Sequence, residues 1–119
     1  MISIIDDDEA VRTATASLVR SLGMKTTTFA SAEEFLRSPC MRDTDCVITD
    51  VQMPGMSGVE LQARLREAGR ALPLIFITAF PEERIRRQVT EAGAIGFLSK
   101  PFEGTDIIAC LDTALGGIG

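Results

Sequence analysis

The sequence predicts an α/β domain with a five-stranded parallel sheet that is covered by helices on both faces. Short aliphatic and β-branched runs alternate five times with segments whose apolar residues recur every three or four positions. Three of these helical segments end at a glycine, namely Gly23, Gly69 and Gly93. Such alternation is typical of a parallel sheet with two covered faces. Right-handed crossovers then favour the doubly wound strand order 2-1-3-4-5.

The five strands are predicted from apolar or β-branched runs. They are expected at residues 2–5, 24–29, 46–49, 72–78 and 95–99. The run "MKTTTF" at 24–29 is less apolar than the others, and it is therefore predicted to lie near an edge of the sheet.

The helices are predicted from their apolar stripes and their start signals. The first is expected over residues 8–22, with an apolar face made by Val11, Ala14, Leu18 and Leu22. Ser31 with Glu34, and Ser57 with Glu60, have the spacing of capping boxes at the starts of the second and third helices. Pro81 is expected in the first turn of the fourth. The last helix carries the stripe Ile107, Ile108, Leu111 and Leu115.

Composition limits the function classes that are open to the chain. Its 119 residues fit one domain, expected at 1–115, with 116–119 as the start of a linker or tail. The net charge of −5 argues against direct contact with nucleic acid, and the absence of histidine excludes histidine-based catalysis. The longest apolar run, at 71–80, is too short to span a bilayer. Three cysteines without paired spacing favour reduced thiols and a cytoplasmic location, with Cys46 and Cys110 in the core.

Acidic residues follow two of the predicted strands. The first strand is followed by "DDDE", residues 6–9, and the third strand by Asp50. Strands 1 and 3 are neighbours in the predicted order, so Asp6, Asp7 and Asp50 are expected to converge at one edge of the sheet. Converging carboxylates repel one another, and a hard cation such as Mg²⁺, with Mn²⁺ as an alternative, would offset that repulsion.

A purely structural interpretation of these acids remains open. Aspartate often caps the first turn of a helix, and acids are favoured there by the helix dipole. For Asp8 and Glu9 this is the interpretation we expect. For Asp50 alone, a role in the turn is as plausible as a chemical one.

Two further strand ends add a hydroxyl and an ammonium group. Strand 4 ends at Thr78, whose hydroxyl could donate to a phosphoryl oxygen, and strand 5 is followed by Lys100, which could reach an anion at the same edge. The Lys100–Pro101 bond is a candidate for the cis form. Taken alone, a threonine in a β-rich run and a lone surface lysine carry no function.

With these positions in place, the sequence resembles the receiver domain of bacterial two-component response regulators. The stretches that carry the resemblance are "IIDDDEAVR", "FASAEEFL", "VITDVQMPGMSGVEL", "PLIFITAF" and "EAGAIGFLSKPF". They extend over nearly the whole chain, in the order and at the spacing of that family. Within that family, these stretches most resemble FixJ-like receivers, which usually precede a LuxR-type DNA-binding domain. The resemblance implies the flavodoxin-like (βα)5 fold.

The resemblance also implies roles for individual residues. Asp50 matches the phosphoacceptor, and Asp6 and Asp7 match the acidic pair that binds Mg²⁺ together with Asp50. Gln52 matches the position whose backbone carbonyl also binds the metal. Further matches are the switch hydroxyl, the phosphate-pairing lysine and the aromatic switch residue, which are Thr78, Lys100 and Phe97. Tyrosine is common at the aromatic position, and phenylalanine lacks its hydroxyl.

The implied function is that of a phosphoacceptor rather than a turnover enzyme. A histidine kinase would phosphorylate Asp50, and the change would switch the face formed by helix 4, strand 5 and helix 5. The expected partners are that kinase, a second receiver and a C-terminal output domain, without a membrane. Alternatives are a stand-alone receiver that acts through protein contacts, an unphosphorylated pseudo-receiver, an FMN-binding module and a small Mg²⁺-dependent phosphohydrolase. The phosphohydrolase would require a second acid where Gln52 stands. An FMN-binding module would need aromatic side chains against the flavin, and the chain has neither Trp nor Tyr.

Overall fold

The computed structural model describes residues 1–116 and confirms the predicted doubly wound fold. The strands are β1 (Ile2–Ile5), β2 (Thr26–Phe29), β3 (Cys46–Asp50), β4 (Leu74–Thr78) and β5 (Gly96–Ser99). The helices are α1 (Glu9–Ser21), α2 (Ala32–Arg37), α3 (Gly58–Glu67), α4 (Glu83–Glu91) and α5 (Gly104–Ala114). All strand pairs are parallel, in the order β2-β1-β3-β4-β5. The weaker strand β2 lies at an edge, as its composition predicted.

Hydrophobic cores lie on both faces of the sheet. Successive side chains of a strand point to opposite faces, so Ile5 and Val47 pack on one side, and Ile4 and Ile48 on the other. The first core also includes Phe35 and Phe76, and these residues are all buried. Both faces are therefore sealed, which leaves the ends of the strands as the place for polar chemistry.

Helix α1 is confirmed, but the prediction of its buried face was wrong in part. Thr15, Ala16 and Val19 are its buried residues, whereas Ala14 and Leu22 are exposed. The buried face therefore lies beside the predicted stripe, of which Val11 and Leu18 are partly buried against the core.

Local signals placed two helix starts correctly and one incorrectly. Ser57 and Glu60 form the full reciprocal capping box of α3, while Ser31 accepts from the Glu34 amide at the start of α2. Pro81 does not lie in the first turn of α4, because that helix is capped at Glu82. A short 3₁₀ helix at Pro39–Asp43, with Ser38 capping it, was not predicted.

The predicted apolar stripe of the last helix and the predicted burial of two cysteines are confirmed in part. Helix α5 buries Ile107 and Leu111 and leaves Ile108 exposed, and the predicted tail 116–119 lies outside the described residues apart from Gly116. Cys46 is fully buried and Cys110 partly so, and both thiols are free. Within residues 1–116, each helix falls short of the length and apolarity that crossing a membrane requires.

Candidate functional site at the carboxyl ends of the strands

Three carboxylates meet where β1 and β3 end. Ile5 pairs with Thr49 in the parallel register, so the next residues, Asp6 and Asp50, emerge side by side. Carboxylate oxygens of Asp6, Asp7 and Asp50 all lie within 4.8 Å of one another. Asp6 is fully buried and Asp50 is 6% exposed, whereas Asp7 faces solvent. The structure thus brings together the three acids that the sequence predicted to converge.

Lys100 reaches the same cluster from the end of β5. Its Nζ atom lies 2.9 Å from Oδ2 of Asp50 and 3.1 Å from Oδ2 of Asp6. Its backbone amide donates to the Thr78 carbonyl at 2.8 Å, which joins the ends of β4 and β5. The Lys100–Pro101 peptide bond is cis. One ammonium group is therefore shared between two buried carboxylates.

The pKa values of the cluster reflect burial and pairing. Burial raises the pKa of Asp6 above its ordinary value, and the hydrogen bonds from the Asp8 amide and from Lys100 only partly oppose this. For Lys100, burial favours the neutral amine, but hydrogen bonds to Asp50 and Asp6 together outweigh it and raise its pKa. Lys100 therefore stays protonated at neutral pH and, in the part of the chain that the structure describes, is the one cation that contacts both buried acids.

The backbone around Asp6 and Asp8 is fixed by local hydrogen bonds. The Asp8 amide donates to Oδ1 of Asp6 at 2.9 Å, and Arg12 donates to the Asp6 carbonyl at 2.7 Å. The Asp8 carboxylate accepts from the amides of Ala10 and Val11, so it caps α1. The capping interpretation was therefore correct for Asp8, while Asp6 and Asp7 point into the cluster.

The loop after Asp50 is held close to the site by two glycines. A Cβ atom on Gly58 would lie 2.3 Å from the Asp50 carbonyl oxygen, which only glycine avoids at that position. Gly55 has a φ of +77°, and a side chain there would collide with the carboxylate of Glu33. Glu33 itself accepts from the Met56 amide at 3.3 Å. No sequence signal marked this contact, because Glu33 reaches the loop from α2, a separate part of the chain.

Thr78 is placed at the end of β4, but its hydroxyl has a partner that the sequence did not reveal. It donates to Oε1 of Gln52 at 2.6 Å and accepts from the Phe80 amide at 3.0 Å. Thr78 is buried, whereas Gln52 is exposed at the start of the loop after β3. The family resemblance pointed to the backbone carbonyl of Gln52, whereas the contact that the structure shows is made by its side chain, which accepts from Thr78.

Phe97 lies on β5 opposite Phe76 of β4 and is partly buried. It packs against the hydrophobic core on the same face as Val89 of α4. An open cavity of about 570 Å³ adjoins the site on this side, between the loop after β3 and the start of α4. Gln52, Arg84 and Ile85 are among the residues that line it.

The donor set fits a hard divalent cation. Magnesium prefers oxygen ligands, is usually held by one or two carboxylates, and retains several waters. Two buried acids and one exposed acid, offset by a single lysine, supply such ligands with an open side at Asp7. The residues present therefore fit Mg²⁺.

Comparisons with known proteins agree with this geometry. Residues 2–112 match the response regulator receiver domain family. The chain is 42% identical over 115 residues to the response regulator protein TmoT of Ectopseudomonas mendocina, covering 97% of this chain and 52% of TmoT. It is 38% identical to the transcriptional regulatory protein FixJ of Azorhizobium caulinodans, covering 97% of this chain and 54% of FixJ.

Solved structures show the same likeness. The crystal structure of FixJ-N superposes with a TM-score of 0.86 at 34% identity, covering 99% of this chain and 94% of that one. A response regulator receiver protein from Burkholderia phymatum gives a TM-score of 0.81 at 43% identity, covering 97% and 94%.

The chain belongs to the response regulator receiver domain family. The predicted likeness to FixJ-like receivers is confirmed. The chain spans about half the length of the curated relatives that it matches.

Proposed function

We propose that this chain is the phosphoacceptor domain of a two-component response regulator, in which Asp50 accepts a phosphoryl group from a histidine kinase. The observation that carries the proposal is the convergence of Asp6, Asp7 and Asp50 at the end of the sheet, where Lys100 pairs with Asp6 and Asp50. Burying carboxylates close to one another is costly unless a cation binds to them. The family membership supports the same role.

The chemical step follows from what each side chain can do. A carboxylate oxygen of Asp50 attacks the phosphorus, the bond from phosphorus to the kinase histidine breaks, and its electron pair stays on the imidazole. Lys100, already 2.9 Å from Asp50, pairs with the negative charge on the phosphoryl oxygens. Bound Mg²⁺, held by Asp6, Asp7, Asp50 and the Gln52 carbonyl, would supply further charge neutralisation.

The phosphorylated site would then act as a switch. A phosphoryl group adds about two negative charges and three acceptor oxygens. Thr78 is the hydroxyl that turns toward those oxygens, and Phe97 moves inward from its partly buried position on β5. A local change of charge would thereby alter the face formed by α4, β5 and α5.

The altered face is where we expect the partners to bind. Arg84, Arg86 and Arg87 lie on α4; Arg86 and Arg87 both pair with Glu83, and the pair with Arg87 is 3.6 Å long. We propose that residues 1–115 form the receiver and that its partners are a second receiver and a C-terminal output domain that binds DNA. The transcriptional regulators among its relatives support this. The protein would act in the cytoplasm.

Two other functions differ from this proposal, one in its partners and the other in its chemistry. A stand-alone receiver would use the same chemistry and signal through protein contacts alone. A Mg²⁺-dependent phosphohydrolase would turn over substrate with a general acid two residues after Asp50, but Gln52 stands there and its side chain accepts from Thr78. We therefore propose that the chain is phosphorylated and is not a turnover enzyme.

Intact mass after incubation with acetyl phosphate and Mg²⁺ tests the proposal. We expect the mass of one phosphoryl group to be added to the native chain and to be absent in Asp50→Asn, because the amide is not a nucleophile. Asp112→Asn makes the same chemical change on the exposed side of α5 and should leave phosphorylation intact. Phosphorylation of Asp50→Asn, or none of the native chain, would refute the assignment.

A further inference from the structure

The hydroxyl group of Thr78 is already occupied in both of its roles. Its single proton is donated to Oε1 of Gln52 at 2.6 Å, and its oxygen accepts from the Phe80 amide at 3.0 Å. A threonine hydroxyl carries one donor only. Thr78 is fully buried, so solvent cannot provide a replacement partner.

This arrangement conflicts with the role proposed for Thr78. If Thr78 donates its proton to a phosphoryl oxygen on Asp50, it must stop donating to Gln52. Gln52 is exposed, and water can satisfy its amide oxygen once the contact breaks. The hydrogen bond to an anionic phosphoryl oxygen is stronger than the neutral one to Gln52, but it forms only after the Gln52 contact has broken. Removing the Gln52 acceptor would therefore shift the equilibrium between the two orientations of Thr78 toward the phosphoryl group.

We propose that the Gln52 side chain is a positioning residue that holds Thr78 in the unphosphorylated orientation and competes with the phosphoryl group for its proton. This inference rests on the proposed function. It concerns the side chain alone, so the backbone carbonyl of Gln52 remains available in every variant.

Two features of the surroundings suit this role. Gln52 lies on the loop after β3 and Thr78 at the end of β4, so their hydrogen bond joins two separate segments at the site and must break when Thr78 turns toward a phosphoryl group. The cavity of about 570 Å³ that Gln52 lines beside Arg84 and Ile85 gives the released amide space on the α4 side.

Binding of beryllium fluoride, an analogue of the phosphoryl group that does not turn over, tests the competition in the presence of Mg²⁺. Gln52→Met keeps the length of the side chain and removes its amide. We expect it to bind the analogue roughly fivefold more tightly than the native chain, which corresponds to the loss of one competing neutral hydrogen bond. In a Thr78→Val background the same substitution should have no effect, because no hydroxyl remains to be released.

The orientation of Thr78 provides a second readout that needs neither ion. NMR couplings to the Thr78 methyl group should report one side-chain rotamer in the native chain and a larger share of a second rotamer in Gln52→Met, where only the Phe80 amide still holds the hydroxyl. Gln52→Glu, which retains an acceptor oxygen, should keep the single rotamer.

The possible failures are distinguishable. Equal affinity of the native chain and Gln52→Met, or an equal gain in the Thr78→Val background, would overturn the positioning role while leaving the proposed function intact. Absence of beryllium fluoride binding by the native chain would overturn the proposed function and this inference together.

Discussion

Cys46 shows how burial changes the chemistry of a single side chain. It begins β3 with none of its surface exposed, and burial raises the pKa of its thiol to about 12, against an ordinary value of 9.0. The chain has neither tyrosine nor histidine, so few other groups titrate at alkaline pH. Cys46 therefore remains a neutral thiol at neutral pH.

The alkaline stability of the chain should therefore depend on Cys46. Because its folded-state pKa is raised, its stabilising contribution is complete below pH 9 and declines as pH rises toward 12. We expect the free energy of unfolding to fall by roughly 1 kcal/mol per pH unit in this window through Cys46 alone. Urea unfolding of the native chain and Cys46→Ala checks this, since their difference in stability should narrow with rising pH. A constant difference would contradict it.

Helix starts determine how the elements approach the site. Helices α3 and α5 both begin with glycine, at Gly58 and Gly104, yet the two positions differ in their surroundings. A Cβ on Gly58 would meet the Asp50 carbonyl at 2.3 Å, whereas one on Gly104 would have its nearest contact at 3.5 Å, with Leu18. The first glycine is required because α3 starts against the end of β3, and the second is not.

Alanine substitution at these two positions forms a matched pair. We expect Gly58→Ala to lower the free energy of unfolding by about 2 kcal/mol or more, because backbone must move to admit the methyl group. Gly104→Ala should be neutral or stabilise by a few tenths of a kcal/mol, since alanine is the better helix former. Thermal melts of both variants provide the measurement, and equal melting temperatures would argue against the close approach at Asp50.

At the scale of the whole molecule, the carboxylate cluster joins segments that are far apart in the chain. Lys100 from the end of β5 bridges Asp6 of β1 and Asp50 of β3. These contacts connect three of the five strands at one edge of the sheet. Loss of the lysine would leave the carboxylates of Asp6 and Asp50 without their shared cation at the ends of β1 and β3.

Lys100→Met should therefore destabilise the whole fold in the absence of divalent cations. We expect the free energy of unfolding to fall by about 1–2 kcal/mol at neutral pH, as two charge-assisted hydrogen bonds are lost from a partly exposed group. Millimolar Mg²⁺ should recover part of the loss, because a dication replaces the missing positive charge. Lys25→Met, at the other lysine of the chain and in an exposed position, should behave like the native protein with or without Mg²⁺. Unchanged stability of Lys100→Met would contradict this account.

The sequence by itself determined the order of the elements, the parallel sheet and the grouping of acids, hydroxyl and lysine at one end of the strands. These features depend on local periodicity, on glycine stops and on the rule that parallel strands end at the same edge. Only the tertiary structure decided which face of α1 is buried, that Glu33 supports the loop after β3, and that Gln52 accepts a hydrogen bond from Thr78. Each of these depends on how closely separate elements approach one another, and the packing of the whole chain sets that distance.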